Sequence, residues 1–190
     1  MAGVPIPSQT VGPYFHLGLT DGRAVGCIAQ PDAKGERVWL TCRVLDGDGL
    51  PVDDAMLEVW QADFQGKYNH PDDMQDKQAD PACRGFGRVG TGSDGSCQFE
   101  TIKPGGVRGI GGIPQAPHLN VAVFARGLLR HLYTRIYFAG DPANEKDPVL
   151  AFVPKERRAT LTAQPDSARA GHWRFDIHLC GEQETVFLDI

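Results

Sequence analysis

The sequence lacks the cysteine spacings that build zinc sites or disulfide frameworks. It contains five cysteines, an odd number, with no CxxC pair and no His-Cys cluster: Cys27, Cys42, Cys83, Cys97 and Cys180. Scattered cysteines of this kind are typical of reduced thiols that are buried as small apolar side chains. We therefore expect a cytoplasmic protein without disulfide bonds.

Long apolar runs and a surplus of positive charge are also absent. No stretch is apolar enough to span a membrane, and residues 1–5 have neither the positive region nor the apolar core of a secretory signal. The 24 acidic residues outnumber the 19 lysines and arginines, which argues against non-specific nucleic-acid binding. Hydrophobic residues make up 41% of the 190 residues, so we expect one domain with one core over residues 1–190.

Short strand-like runs separated by turn residues dominate the chain, which has 23 glycines and 14 prolines. Alternating apolar residues predict strands at 37–45, 55–61, 86–91, 96–102, 119–126, 132–138 and 172–180. Turn signals at 46–49 and 94–95 separate some of these runs. The pattern favours an all-β, antiparallel β-sandwich with long loops and an N-terminal arm at 1–36. A helix within 143–158 is a weaker prediction.

The segment IPQAPHLNVAVF at 113–124 is a proline-bounded loop that leads into a buried strand. His118 and Asn120 stand two residues apart at the start of that strand, so their side chains point to the same face. Two histidines at this spacing could hold a metal together. Here the second position carries an amide instead.

Several fragments together resemble the intradiol ring-cleaving dioxygenases. They are LEVWQAD at 57–63, GKY at 66–68, FETIKPG at 99–105, APHLN at 116–120 and YFAGDP at 137–142. The resemblance implies a β-sandwich and an enzyme that uses Fe(III) and O₂ to open a catechol ring. PSQTVGPY at 7–14, FARG at 124–127 and GEQETVFLD at 181–189 are similar to the α subunits of the family's two-subunit members.

The same resemblance implies that this chain lacks a complete iron site. Family members hold Fe(III) with two tyrosinates and two histidines, which suit a hard ferric ion. Tyr68 and His118 match one ligand of each kind, whereas Asn120 replaces the second histidine and residues 106–108 offer no tyrosine. Gln115 lies about where the family has a supporting arginine. We therefore expect no metal and no catalytic residue here, with Tyr68, His118 and Asn120 as vestigial ligand positions.

The resemblance places the working site across an interface with a partner β subunit that binds the Fe(III). It implies that 3,4-dihydroxybenzoate and O₂ are the substrates of the complex, and that the arm at 1–36 packs on the partner chain. Arg126 is expected to reach the substrate carboxylate, since a planar guanidinium complements that anion. Thr10, Gly12, Pro13 and Tyr14 are expected to line the same pocket.

Simpler interpretations stay open at this point. Arg126 also fits an ordinary surface arginine at a strand end, and His118 and Tyr68 fit structural residues. At the level of the whole chain, one alternative is a non-catalytic homo-oligomeric structural or binding protein of the same fold. The other is an autonomous dioxygenase with a rearranged metal site.

Overall fold

The computed structural model describes residues 7–12 and 14–189, without the side chains of Tyr14 and Ile110. Ten strands carry the fold: β1 Arg37–Leu45, β2 Met56–Trp60, β3 Phe86–Gly90, β4 Ser96–Ile102, β5 Val107–Arg108, β6 Pro114–Gln115, β7 His118–Phe124, β8 Leu132–Phe138, β9 Thr162–Pro165 and β10 His172–His178. Two short α-helices, α1 Tyr14–Leu19 and α2 Pro148–Phe152, and three 3₁₀ turns complete the described elements.

Eight strands form one folded sheet in the order β3-β2-β7-β8-β9-β10-β1-β4. The short strand β9 joins two halves, because it pairs with β8 on one side and with β10 on the other. Apolar side chains from both halves form one buried cluster that includes Leu40, Phe99, Leu119 and Ile136. Full burial of such a side chain stabilises the fold by about 1.5–3 kcal/mol, so this shared core holds the two halves together.

The predicted β-sandwich is confirmed, although not all of its strand pairs are antiparallel. β1 runs parallel to β10, with Cys42 opposite Phe175, and β8 runs parallel to β9. The strand bounds at 37–45, 96–102 and 132–138 match the prediction, and the other predicted runs differ by one or two residues. All five cysteines are free thiols.

The N-terminal segment is more regular than the sequence predicted. Residues 14–19 form α1, whose Phe15 ring lies 5.6 Å from the Phe124 ring and whose His16 Nε2 lies 3.1 Å from the carbonyl oxygen of Asp54. Val25 then bridges to Arg88 of β3. Much of the arm thus packs on the chain's own sandwich, and its contact with a partner chain stays a prediction.

The region 143–158 is helical only in short pieces because prolines interrupt it. A 3₁₀ turn at Pro142–Lys146, α2, and a second turn at Lys155–Leu161 follow one another. Asp147 begins α2 by accepting hydrogen bonds from the backbone N–H groups of Val149 and Leu150, both at 2.9 Å. None of the described helices has the length and apolar character needed to cross a membrane.

Candidate functional site

The start of β7 and the end of β8 bring the predicted site positions together. In this antiparallel pair His118 stands opposite Tyr137, and Asn120 stands opposite Arg135. Their side chains share the face that points away from the core residue Leu119. Tyr68 reaches this face from the loop after β2, and Asn120 Nδ2 donates a hydrogen bond to its hydroxyl at 3.3 Å. The three predicted vestigial ligand positions therefore lie on one face.

His118 is buried and neutral. Its Nδ1 lies 2.7 Å from the carbonyl oxygen of Ala116, and because a carbonyl only accepts, Nδ1 carries the ring proton. Burial lowers the pKa of His118 to about 4, and the positive charge of Arg135 acts in the same direction. The opposite ring nitrogen, Nε2, is buried and finds no hydrogen-bond partner among the described residues. It presents an unused lone pair, as a metal-ligating histidine would.

Tyr68 is held by an internally braced loop. Its ring stacks on Trp60 with centroids 6.1 Å apart, and its backbone N–H donates to Asp73 at 2.8 Å. The buried ammonium of Lys67 lies 3.2 Å from the same carboxylate and donates to the Gln75 carbonyl oxygen at 3.0 Å. Burial raises the pKa of the Tyr68 phenol, opposed by Asn120 and by the charge of Arg135. The hydroxyl is therefore protonated at neutral pH.

A glycine crossing fixes where this loop meets the loop after β4. Gly66 has a φ of +77°, and a Cβ atom built there would stand 2.0 Å from the carbonyl oxygen of Gly106. No other residue fits such an approach. Gly106 follows the Lys-Pro-Gly turn and leads into β5, where Val107 is buried and Arg108 is exposed. The backbone thus passes close to Tyr68 without bringing a second phenol.

Arg135 is a residue of this face that sequence reasoning missed. Its Nη1 donates to Gln115 Oε1 at 2.9 Å and to the Tyr137 hydroxyl at 3.3 Å. The described part of the chain places no carboxylate in ion-pair contact with this half-buried guanidinium. The strand pattern does place it on the face of Tyr137. That it lies beside Asn120 depends on the pairing of β7 with β8, which the sequence does not display.

Behind Arg135 a buried carboxylate completes the network. Tyr137 donates its hydroxyl proton to Asp147 Oδ1 at 3.0 Å, and Asp147 Oδ2 accepts from the backbone N–H of Ala116 at 2.8 Å. Burial is the main cause that raises the pKa of Tyr137. Its oxygen is committed to Arg135 and Asp147, so Tyr137 does not serve as a second phenolate ligand.

These residues do not fit a ferric ion. The point of convergence offers one protonated phenol, one imidazole, one neutral amide that already donates to the phenol, and a permanent cation nearby. Fe(III) prefers anionic oxygen donors and imidazoles, and an amide is a poor substitute. Among the described residues, no three His, Cys, Asp or Glu side chains come together as a metal-binding group.

Three of the other predicted residues lie at the opposite end of β7. Arg126 follows the strand with its side chain 77% exposed, and its Nε lies 3.1 Å from Asp54 Oδ2. Thr10 Oγ1 accepts a hydrogen bond from the backbone N–H of Gly127, the residue after Arg126, at 2.7 Å. Gly12 is exposed, with open space around it. Six residues at strand spacing put about 20 Å between this end and His118.

The structure does not describe two further residues that are predicted to line the substrate pocket. Pro13 lies outside the described residues, and the side chain of Tyr14 does too. Their expected place beside Arg126 stays a prediction.

Comparison with known proteins decides the family. A family model described as a dioxygenase matches residues 11–181. The chain belongs to this dioxygenase family. The protocatechuate 3,4-dioxygenase alpha chain of Burkholderia cepacia is 45% identical to it over 197 residues, covering 97% of this chain and 96% of that protein. The corresponding alpha chain of Pseudomonas putida is 43% identical, with 96% and 95% covered. The resemblance to intradiol dioxygenases is thereby confirmed.

More distant relatives agree. The protocatechuate 3,4-dioxygenase beta chain of Burkholderia cepacia is 38% identical over 94% of this chain and 77% of its own length. The dioxygenase domain of a carbohydrate-binding fusion protein from a Streptomyces species superposes with a TM-score of 0.63 at 29% identity, covering 94% of this chain and 99% of that one. A 3-chlorocatechol 1,2-dioxygenase from Rhodococcus opacus has a TM-score of 0.64 at 19% identity, over 94% and 68% of the two chains, and shares the fold.

Proposed function

We propose that this chain is the α subunit of a cytoplasmic protocatechuate 3,4-dioxygenase and that a partner β subunit binds the catalytic iron. The assembled enzyme cleaves 3,4-dihydroxybenzoate with O₂ between its two hydroxyl-bearing carbons, giving 3-carboxy-cis,cis-muconate. One observation carries the proposal. A chain 45% identical to such an alpha chain over nearly its whole length has the family fold but a donor set that does not suit Fe(III).

The share of this chain in the reaction is to complete the substrate pocket of the partner. Arg126 supports this because its guanidinium is exposed, while its Nε contact with Asp54 orients it from the side. The terminal amino groups then remain available for a carboxylate in a bidentate arrangement. The Thr10 contact with Gly127 anchors residues 7–12 beside that arginine, where the arm would meet both partner and substrate.

Iron content tests the proposal most directly. We expect the chain expressed alone to hold no stoichiometric iron, to lack the visible tyrosinate-to-iron absorption, and to leave protocatechuate unchanged. Co-expression with an intradiol β chain should give a stable complex that is active and coloured. Stoichiometric ferric iron in the chain alone, or activity without a β chain, would instead establish an autonomous enzyme. Failure to associate with the β chain would favour the non-catalytic homo-oligomer.

A further inference from the structure

An arginine lies beside the residues that the sequence predicts to be vestigial iron-ligand positions. The Arg135 cluster comprises Tyr68, Gln115, His118, Asn120 and Arg135. We propose that the guanidinium of Arg135 replaces a metal ion as the positive charge of this cluster, and that it keeps cations out. The proposal concerns this chain's own site, and it does not depend on whether a partner chain carries the catalytic iron.

Geometry supports this assignment. Arg135 stands directly opposite Asn120 across the β7–β8 pair, and side chains in such positions have Cβ atoms about 4.5–5.5 Å apart. Its Nη1 is anchored by Gln115 and Tyr137, at 2.9 and 3.3 Å, which fixes the head group beside the other members. A guanidinium stays charged at any physiological pH, so the cation is permanent.

The surroundings of this guanidinium decide whether a metal ion could bind next to it. The groups beside it are neutral: the Tyr68, Asn120, Gln115 and Tyr137 side chains. The buried carboxylate of Asp147 accepts from the Tyr137 hydroxyl at 3.0 Å and makes no ion pair with the guanidinium. Among the described residues of the cluster, one buried atom has a lone pair without a hydrogen-bond partner. That atom is Nε2 of His118, a residue that is 3% exposed. A metal approaching this lone pair would also approach the guanidinium. At an effective dielectric of about 20, two unit charges repel enough to weaken binding by roughly a thousandfold at a separation of about 4 Å, and by less at a larger separation.

The test introduces a second histidine at position 120, in chains with and without the positive charge of Arg135. Full-length Asn120→His carries both imidazoles and keeps Arg135, whereas Asn120→His/Arg135→Gln removes the charge and keeps a hydrogen-bonding side chain. Asn120→His/Arg135→Lys is the matched control that keeps a positive charge. Each protein is titrated with Co²⁺ alone, by calorimetry and by visible absorption. We expect the Gln double variant to bind Co²⁺ at least tenfold more tightly than Asn120→His, and the Lys double variant to stay weak. Equal affinities among the three would overturn the proposal.

A second measurement covers the case in which the double variants do not fold. Asn120→Asp places a carboxylate of nearly the same shape opposite Arg135. If the cluster holds a fixed cation, the thermal unfolding midpoint at pH 7 should be at or above that of the unaltered chain. A lower midpoint would show that the buried carboxylate finds no positive charge there and would refute the assignment.

Discussion

Acid should destabilise this protein through His118, because the imidazole of this residue is buried. Burial lowers the pKa of this imidazole from 6.5 to about 4 in the folded chain. Between these values the unfolded chain binds a proton that the folded chain does not, so stability falls as the pH drops through this window. The difference of roughly 2.5 pH units corresponds to about 3 kcal/mol once the pH lies below both values.

Urea unfolding of the chain and of His118→Asn isolates this effect. The asparagine amide can still donate to the Ala116 carbonyl oxygen, which His118 Nδ1 contacts at 2.7 Å, but it does not titrate. From about pH 7 to about pH 4.5 the unaltered chain should lose about 2 kcal/mol more unfolding free energy than the variant. The other titrating groups are common to both proteins and cancel in the difference. Parallel pH dependences would refute the claim that His118 is buried and neutral.

Two further substitutions separate stability from substrate binding. Asp147→Ala removes the cap of α2 and the acceptors of the Ala116 N–H and the Tyr137 hydroxyl. Urea unfolding should therefore show that the free energy of unfolding falls by about 4 kcal/mol. Asp147→Asn keeps one oxygen acceptor and should lose less. In the αβ enzyme, Arg126→Ala should raise KM for protocatechuate by about tenfold or more, as expected for a lost charged hydrogen bond, and leave the iron spectrum intact. Arg169→Ala, an exposed arginine in the turn before β10, is the control, and an unchanged KM in Arg126→Ala would remove Arg126 from the pocket.

Local sequence patterns were sufficient for the strands but not for their partners. The bounds of β1 and β4 follow from alternation together with the turn residues at 46–49 and 94–95. The parallel pairing of β1 with β10 joins Trp39 to His172, which are far apart in the chain. No local propensity encodes that contact, because register between distant strands is selected by the buried faces of the whole sandwich.

The sequence likewise predicts some residues of the candidate site and not others. His118 and Asn120 are predictable as neighbours because strand residues at i and i+2 share a face, and Tyr68 follows from the family motif. Arg135 was not predicted, because the apolar residues around it already account for a buried strand and its charge has no local partner. Only the β7–β8 register shows that it stands beside Asn120.

The two ends of β7 should respond to mutation in opposite ways. At one end, Asn120 donates a hydrogen bond to the protonated Tyr68 hydroxyl beside the fixed charge of Arg135. A histidine at position 120 would add one possible metal ligand. It would not remove the positive charge of Arg135 and would not supply a second phenol. Substitutions there should alter stability or metal affinity and leave KM unchanged. About 20 Å away, Arg126 is exposed and contributes little to folding, because exposed ion pairs such as that with Asp54 are worth at most about 1 kcal/mol. Replacement of Arg126 should change KM and leave stability nearly unaltered. If substitutions at both ends changed KM alike, the two ends of β7 would not have separate functions.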